Sequence, residues 1–229
     1  VKGVLADTFG ATDDARKKEE LLVGRAFGRG GDDGATAGSL VFSDAHLVAL
    51  PVRSFYGTFA WVASPLSLLR LQRDLRCSVE VPQGTAALVP AASSVLDGGT
   101  GKIYLEDLDF SCTPSDPSRE WAKAISQAVF PEDVAWQEAF IQRFVVLPDD
   151  VFSFLCEQGT EVNARVRIED DRKTVAEHAL WYEESLPTET ILAGVVWCDK
   201  VYGKDPRPAH AASLCEVGNA MRAGNGGHR

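Results

Sequence analysis

The sequence has little that marks a chain for export, for a membrane or for a familiar catalytic class. Its five cysteines, Cys77, Cys112, Cys156, Cys198 and Cys215, are odd in number and widely spaced, with no C-x-x-C pair. Neither a disulfide framework nor a zinc site is indicated, and a reducing cytoplasm is the expected setting. Apolar runs are short, because Pro51, Arg53, Pro65 and Pro90 break the richest regions well before the ~18–20 residues that a membrane span requires. The chain opens on Val1 with no charged n-region and apolar h-region after it, so no signal peptide is read and a native start further upstream is expected. G-x-S-x-G, H-E-x-x-H, a Walker loop and a G-x-G-x-x-G that opens a helix are all missing, which disfavours hydrolase and nucleotide-binding readings. His46, His178, His210 and His228 are scattered and receive no role.

What is present is a globular composition. Of 229 residues, 45% are hydrophobic and 24% charged, enough for one large domain or two small ones. Lys and Arg number 23 against 33 Asp and Glu, a net charge of -10, which by itself argues against a polyanion partner. The excess acid is local. Residues 1–96 hold 10 basic and 10 acidic residues, 97–161 hold 4 and 13, and 162–229 hold 9 and 10. The ends are therefore free to build a phosphate-binding surface, since local potential governs docking; the charge pattern alone favours the plainer reading of the middle as a solvated acidic face.

The periodicities predict a mixed α+β chain. Val1, Val4, Leu5 and Phe9 recur at helical spacing, a second helical pattern runs over 13–27, and Gly28 to Gly38 form a glycine-rich loop. Strands are expected over 38–42 and 46–50. Ser64-Pro65 reads as an N-cap with proline at N1, opening a leucine-rich helix to about Leu75. Further on come a strand at 101–105, helices at 118–130 and 132–143, a strand at 144–147, and a helix capped by Asp149 or Asp150 and running to Glu157. Val162, Ala164, Val166 and Ile168 alternate with Asn163, Arg165, Arg167 and Glu169, a half-exposed strand that turns at Asp170-Asp171 into a second strand over 174–182. Residues 191–197 read as a buried strand, 209–217 as a short helix and 218–227 as a glycine-rich tail.

Three clusters suit an anionic strand. Lys2-Gly3 at a helix start offers free N–H groups and an ammonium. Asn163, Arg165 and Arg167 share one strand side, which fits a phosphate backbone or an ordinary solvated face. Asn219, Arg222 and Asn225 among glycines either wrap a backbone or fray.

Four blocks, taken together, resemble the major backbone subunit of the type III-B CRISPR effector, the Cmr complex, in the RAMP superfamily. They are Val1-Lys2-Gly3-Val4-Leu5-Ala6-Asp7; Gly38 to Ala45 continuing into Pro51-Val52-Arg53-Ser54-Phe55-Tyr56-Gly57-Thr58-Phe59-Ala60-Trp61-Val62; Gly101 to Leu108; and Thr160 to Ile168 with Lys173 to Val175 and Ala179 to Pro187. The resemblance implies an RRM-like, ferredoxin-like RAMP core with helical insertions and a protruding β-hairpin thumb. It implies a single domain over 1–229 lacking its N-terminal strand and loop, an acidic, partly helical insertion at 97–160, and the thumb at 161–186. As implied RNA-binding residues it gives Lys2, Gly3, Arg53, Ser54, Asn163, Arg165, Arg167, Lys173, Gly218 and Arg222. The implied partners are a CRISPR guide RNA, complementary target RNA, further copies of the chain head to tail and other Cmr-type subunits. The family's cleavage aspartate precedes the Lys-Gly motif, so no catalytic residue is assigned, and a divalent ion, Mg²⁺ by chemistry, is expected for cleavage. The family's C-terminal glycine element is only loosely echoed by Gly218 to Gly224.

Three readings follow: an RNA-guided endoribonuclease subunit, a non-catalytic guide-binding scaffold, and an acidic protein-interaction module without RNA function.

Overall fold

The computed structural model describes residues 26–29, 36–168 and 175–198. The chain divides into two compact units, 1–45 with 194–229, and 46–193.

In the first unit, β1 (Gly28–Arg29) pairs antiparallel with β2 (Thr36–Ala37), and β3 (Leu40–Phe42) is the next strand. Gly38 is required beside them, because a Cβ there would lie 2.5 Å from the carbonyl carbon of Phe27. From the far end of the chain, Val196–Cys198 pairs antiparallel with β3. Ser43 clamps the approach of that strand: its N–H donates to the Val195 carbonyl, and its Oγ accepts from the Val195 N–H at 2.8 Å.

The second unit is built on a mixed sheet. In chain order its elements are β4 (His46–Arg53), β5 (Phe59–Ala63), α1 (Pro65–Leu75), β6 (Ala87–Val89), β7 (Lys102–Leu105), β8 (Leu108–Pro114), α2 (Asp116–Val129), α3 (Val134–Arg143), β9 (Phe144–Val146), α4 (Asp149–Gln158), β10 (Glu161–Ile168), β11 (Val175–Ser185) and β12 (Ile191–Ala193). The strand Val196–Cys198 is then β13. Seven strands lie in the order β12-β4-β5-β9-β6-β8-β7. The β5–β9 and β6–β8 ladders are parallel and the others antiparallel.

Helices cover both faces of the sheet, and this explains its composition. Val62 and Val145 point into one core with Phe152 and Leu155 of α4; Trp61, Phe144 and Val146 point into the other with Leu68 of α1, Trp121 and Ile125 of α2 and Phe140 of α3. Strands buried on both sides read as continuous apolar runs rather than as an alternation, as Phe59-Ala60-Trp61-Val62-Ala63 does. Pro51 falls on β4 between the β12 ladder, which ends at Ala49, and the Ser54–Leu105 bridge to β7. That edge of β4 has no partner there, so the missing N–H costs no ladder bond.

Capping confirms α1 in detail. The Ser64 hydroxyl accepts from the Ser67 N–H and the Ser67 hydroxyl accepts from the Ser64 N–H, a reciprocal box, with Pro65 at the first turn. At α4 the expectation fails: Pro148 is the N-cap and no side chain caps it. The Asp149 carboxylate is engaged instead by the N–H of Leu66, at 2.9 Å, and so satisfies an orphan donor of α1. The buried strand expected over 191–197 splits into β12 and β13, and Leu192, Val196 and Trp197 are exposed. The acidic stretch 97–160 is interleaved with the core, since it supplies β7, β8 and β9 to the sheet and α2 to α4 to its faces.

Candidate nucleic-acid interface

The hairpin β10–β11 forms a sheet of its own, with Glu161 opposite Ser185, Asn163 opposite Glu183 and Arg165 opposite Trp181. Residues 161–166 and 180–186 are exposed throughout, so neither face is covered. One face carries Asn163, Arg165, Glu183 and Trp181; the other carries Val162, Ala164, Val166, Leu180 and Tyr182. The alternation identified this hairpin correctly, but its apolar side, read as the inner side of a half-exposed strand, is in solvent as well. Arg165 does not stand alone: its Nε lies 2.8 Å from Glu183 Oε2, a diagonal cross-strand pair. Both side chains are more than half exposed, and such pairs contribute only about 0–1 kcal/mol. A phosphate can therefore compete for the guanidinium. The ladder shifts register between Val166 and Ile168. Arg167 belongs to the β10 backbone, and its side chain lies outside the described residues.

At the end of β4 the strand alternation settles Arg53 and Ser54. Val52 is buried, Arg53 exposed and Ser54 buried. Arg53 makes a tight pair with Glu106 on the β7–β8 turn: Nη2 lies 3.0 Å from Oε2, its N–H donates to Oε1, and its carbonyl accepts from the Glu106 N–H. Ser54, expected as an RNA-binding residue, is 5% exposed and its Oγ has no hydrogen-bond partner. The period of two that turns Arg53 outward turns Ser54 inward, so its side chain does not reach a strand lying on the surface.

The turn that follows is held in an unusual conformation. The Ser54 N–H donates to the Thr58 carbonyl, and the Phe59 N–H donates to the Gly57 carbonyl. The latter is an i to i+2 bond centred on Thr58, whose φ is 75°, and a γ-turn of that hand is rare and strained. Gly57 also has φ 72°, as glycine readily does. Arg143 Nε donates to the same Gly57 carbonyl from α3 at 3.0 Å. At the tip, Phe55, Tyr56 and Tyr104 cluster, with ring centroids 5.2 to 6.3 Å apart. Behind the turn, Phe59, Trp61, Trp136 and Arg143 line a pocket of about 300 Å³.

Sequence reasoning missed both the aromatic tip and the carboxylates on the two arginines. Phe55-Tyr56 ahead of a glycine was the available signal for the first. Glu106 lies 53 positions from Arg53 in sequence, so nothing local pointed to the second. Lys2, Gly3, Lys173, Gly218 and Arg222 lie outside the described residues, as do the turn at Asp170-Asp171 and the expected helices over 1–9 and 209–217. Among the described residues, no three His, Cys, Asp or Glu side chains group as metal ligands. No helix there is long and apolar enough to cross a membrane.

Comparison with known proteins gives consistent neighbours. The RAMP superfamily matches residues 1–208. The CRISPR system Cmr endoribonuclease Cmr4 of Pyrococcus furiosus is 32% identical over 205 residues, covering 86% of this chain and 66% of that protein. The chain thus spans about two thirds of the relative's length. Among solved structures, oligomeric Cmr4 from Pyrococcus furiosus superimposes with a TM-score of 0.68 at 27% identity, over 96% of this chain and 74% of that one. A chain of the type III-B Cmr-beta complex bound to cognate target RNA gives a TM-score of 0.58 at 17% identity, over 93% and 72%, which shows likeness of fold.

Proposed function

The chain belongs to the RAMP superfamily, and on that premise we propose that it is a guide-RNA-binding backbone subunit of a type III CRISPR effector that cleaves complementary target RNA as an endoribonuclease. The observation that carries the reading is the family match across residues 1–208, together with 32% identity to a protein named as a Cmr endoribonuclease. The freestanding hairpin β10–β11 supports it, because a wedge that enters a guide–target duplex must project from its subunit with both faces uncovered.

In such an assembly sequence is read by base pairing, so the protein needs contacts to backbone and shape. Arg53 and Arg165 suit that role as cations held by exposed carboxylates and released to phosphate at little cost. The partners in this reading are the guide, its target, further copies head to tail and other Cmr-type subunits, in the cytoplasm. Cleavage proceeds by attack of a ribose 2′-hydroxyl on the adjacent phosphate; this requires in-line geometry and a base to take the proton. A divalent ion would neutralise phosphate oxygens; among the described residues no three His, Cys, Asp or Glu side chains cluster to hold one.

The test is to assemble the chain with its guide and add a labelled complementary RNA. Cleavage products at even spacing are expected. Tight target binding without products would replace the nuclease by a scaffold subunit, and absence of salt-dependent RNA affinity would leave the acidic interaction module.

A further inference from the structure

We propose that Phe55, Tyr56 and Tyr104 form a stacking platform for an unpaired nucleobase of single-stranded RNA, a contact separate from the arginine contacts to phosphate; it rests on the RNA-binding reading above. Phe55 is 81% exposed, so it forgoes most of the burial that ordinarily holds a phenyl ring. It does not tuck away because its backbone is fixed on several sides. The Phe55 N–H donates to the Tyr104 carbonyl, Ser54 bridges to Leu105, and Arg143 and the strained Thr58 lock the far side of the turn. Strain of this kind persists only where the surroundings enforce it.

The rings are preorganised. Phe55 and Tyr56 meet edge to face at 74°, Phe55 and Tyr104 at 69°, and Tyr56 and Tyr104 at 46°. Tyr104 lies on the outward side of β7, between Ile103 and Leu105, which are buried, and its hydroxyl is 3.3 Å from Thr100 Oγ1. Aromatic side chains on a sheet face are how single-stranded RNA is commonly gripped, since every base has a π-face.

Charge decides which part of the RNA this surface takes. The neighbouring cations are paired, Arg53 with Glu106 and Lys102 with Asp109, and the Asp97 carboxylate accepts from the Gly99 N–H and the Thr100 hydroxyl. The rings themselves carry no charge, so a phosphate goes to the exposed Arg53 guanidinium beside them and not to the patch. What remains is a set of ring faces and hydroxyls, which fits an uncharged planar base whose phosphates run outside the patch.

The experiment compares the full-length chain with Phe55→Ala and Phe55→Trp for binding to a labelled single-stranded oligoadenylate and to an abasic ribose–phosphate strand of equal length. Phe55→Ala is expected to lose about ten-fold affinity for oligoadenylate, the usual worth of one aromatic–base stack. It is expected to keep its affinity for the abasic strand and its salt slope, while Phe55→Trp restores binding. Equal losses on both strands, or no loss on either, overturn the platform. Unchanged RNA binding with weakened self-association assigns the patch to a protein surface and also overturns it. If the unaltered chain binds oligoadenylate and Phe55→Ala binds alike, only the platform fails; if the unaltered chain binds neither strand, the RNA-binding reading fails with it.

Discussion

Arg53 and Arg165 each pair with a carboxylate on a neighbouring strand or turn while most of the side chain stays in solvent. The sum of charges along the chain therefore understates how little free positive charge these two positions offer. The ion pairs also make a prediction with an unusual sign. Glu106→Gln and Glu183→Gln remove no contact to RNA but free a guanidinium, so each is expected to raise RNA affinity and to steepen its salt dependence by about one unit of log–log slope per freed cation. Anisotropy titrations across salt concentrations check this, and a drop in affinity would show that the carboxylates position the arginines rather than occupy them. Among the thiols, burial pushes Cys112 from an ordinary 9.0 up to about 11 and raises Cys156 as well. Because the thiolate is the reactive form, both should alkylate slowly at pH 8, whereas Cys198, which is exposed, is labelled before them. The sign carries over to stability: a raised thiol pKa keeps the folded form protonated while the unfolded form ionises, so stability falls as pH rises from about 9 towards about 11. Mass-mapped iodoacetamide labelling against pH reads out the order.

Elements marked by chemistry at their ends or by a clear period were legible in the sequence, as was the apolar run of β9; β5 and the exposed edge strands were not. Ser64-Pro65 announced α1 because a cap and an N1 proline are local. Replacing Ser64 with Ala removes the hydroxyl that accepts from the Ser67 N–H and leaves only the Ser64 N–H to Ser67 Oγ half of the box; it is expected to cost about 1 kcal/mol, about 2–4 °C in thermal midpoint for a domain of this size. The hairpin was legible through its alternation and Gly101 to Leu105 through its block. β5 was not, because Phe59 to Ala63 carry no period once helices lie on both sides. The residues over 191–197 misled in the opposite direction, since an apolar run suggested burial that two short edge strands do not have. The turn between β4 and β5 offers a check on local strain. Thr58→Gly removes a β-branched side chain from φ 75° and is expected to stabilise by about 1 kcal/mol. Gly57→Ala should destabilise, because its Cβ would meet Val95 Cγ1 at 3.1 Å and the Ser94 carbonyl at 3.2 Å. Chemical denaturation of the two variants distinguishes a strained turn from a relaxed one by opposite shifts.

At the scale of the molecule, the family was legible from four ordered blocks, while the site was legible only where it depends on strand period. Arg53 faces outward and Ser54 inward by the same rule, and the carboxylates that neutralise the arginines come from distant sequence. The acidic middle, read as an insertion, turned out to be woven into the sheet because β7 to β9 bury Ile103, Leu105, Phe144 and Val145 in its cores. The hairpin is the reverse case: among its described side chains, those of 161–166 and 180–185, none belongs to either core. Glu161 and Ser185 face each other at its base, so a short Gly-Ser link can join Thr160 to Leu186 without stretching the chain. Excising 161–185 in this way is expected to leave the thermal midpoint of the remaining fold within a few degrees, because the stability of a domain resides in its buried apolar residues. In the assembled, guide-loaded complex the same excision should abolish the even spacing of target cleavage, since the wedge that sets the interval is gone. Intact spacing from a well-folded excised chain would remove β10–β11 from the proposed mechanism, and a collapse in thermal stability would show that the hairpin holds the fold together instead of reaching away from it.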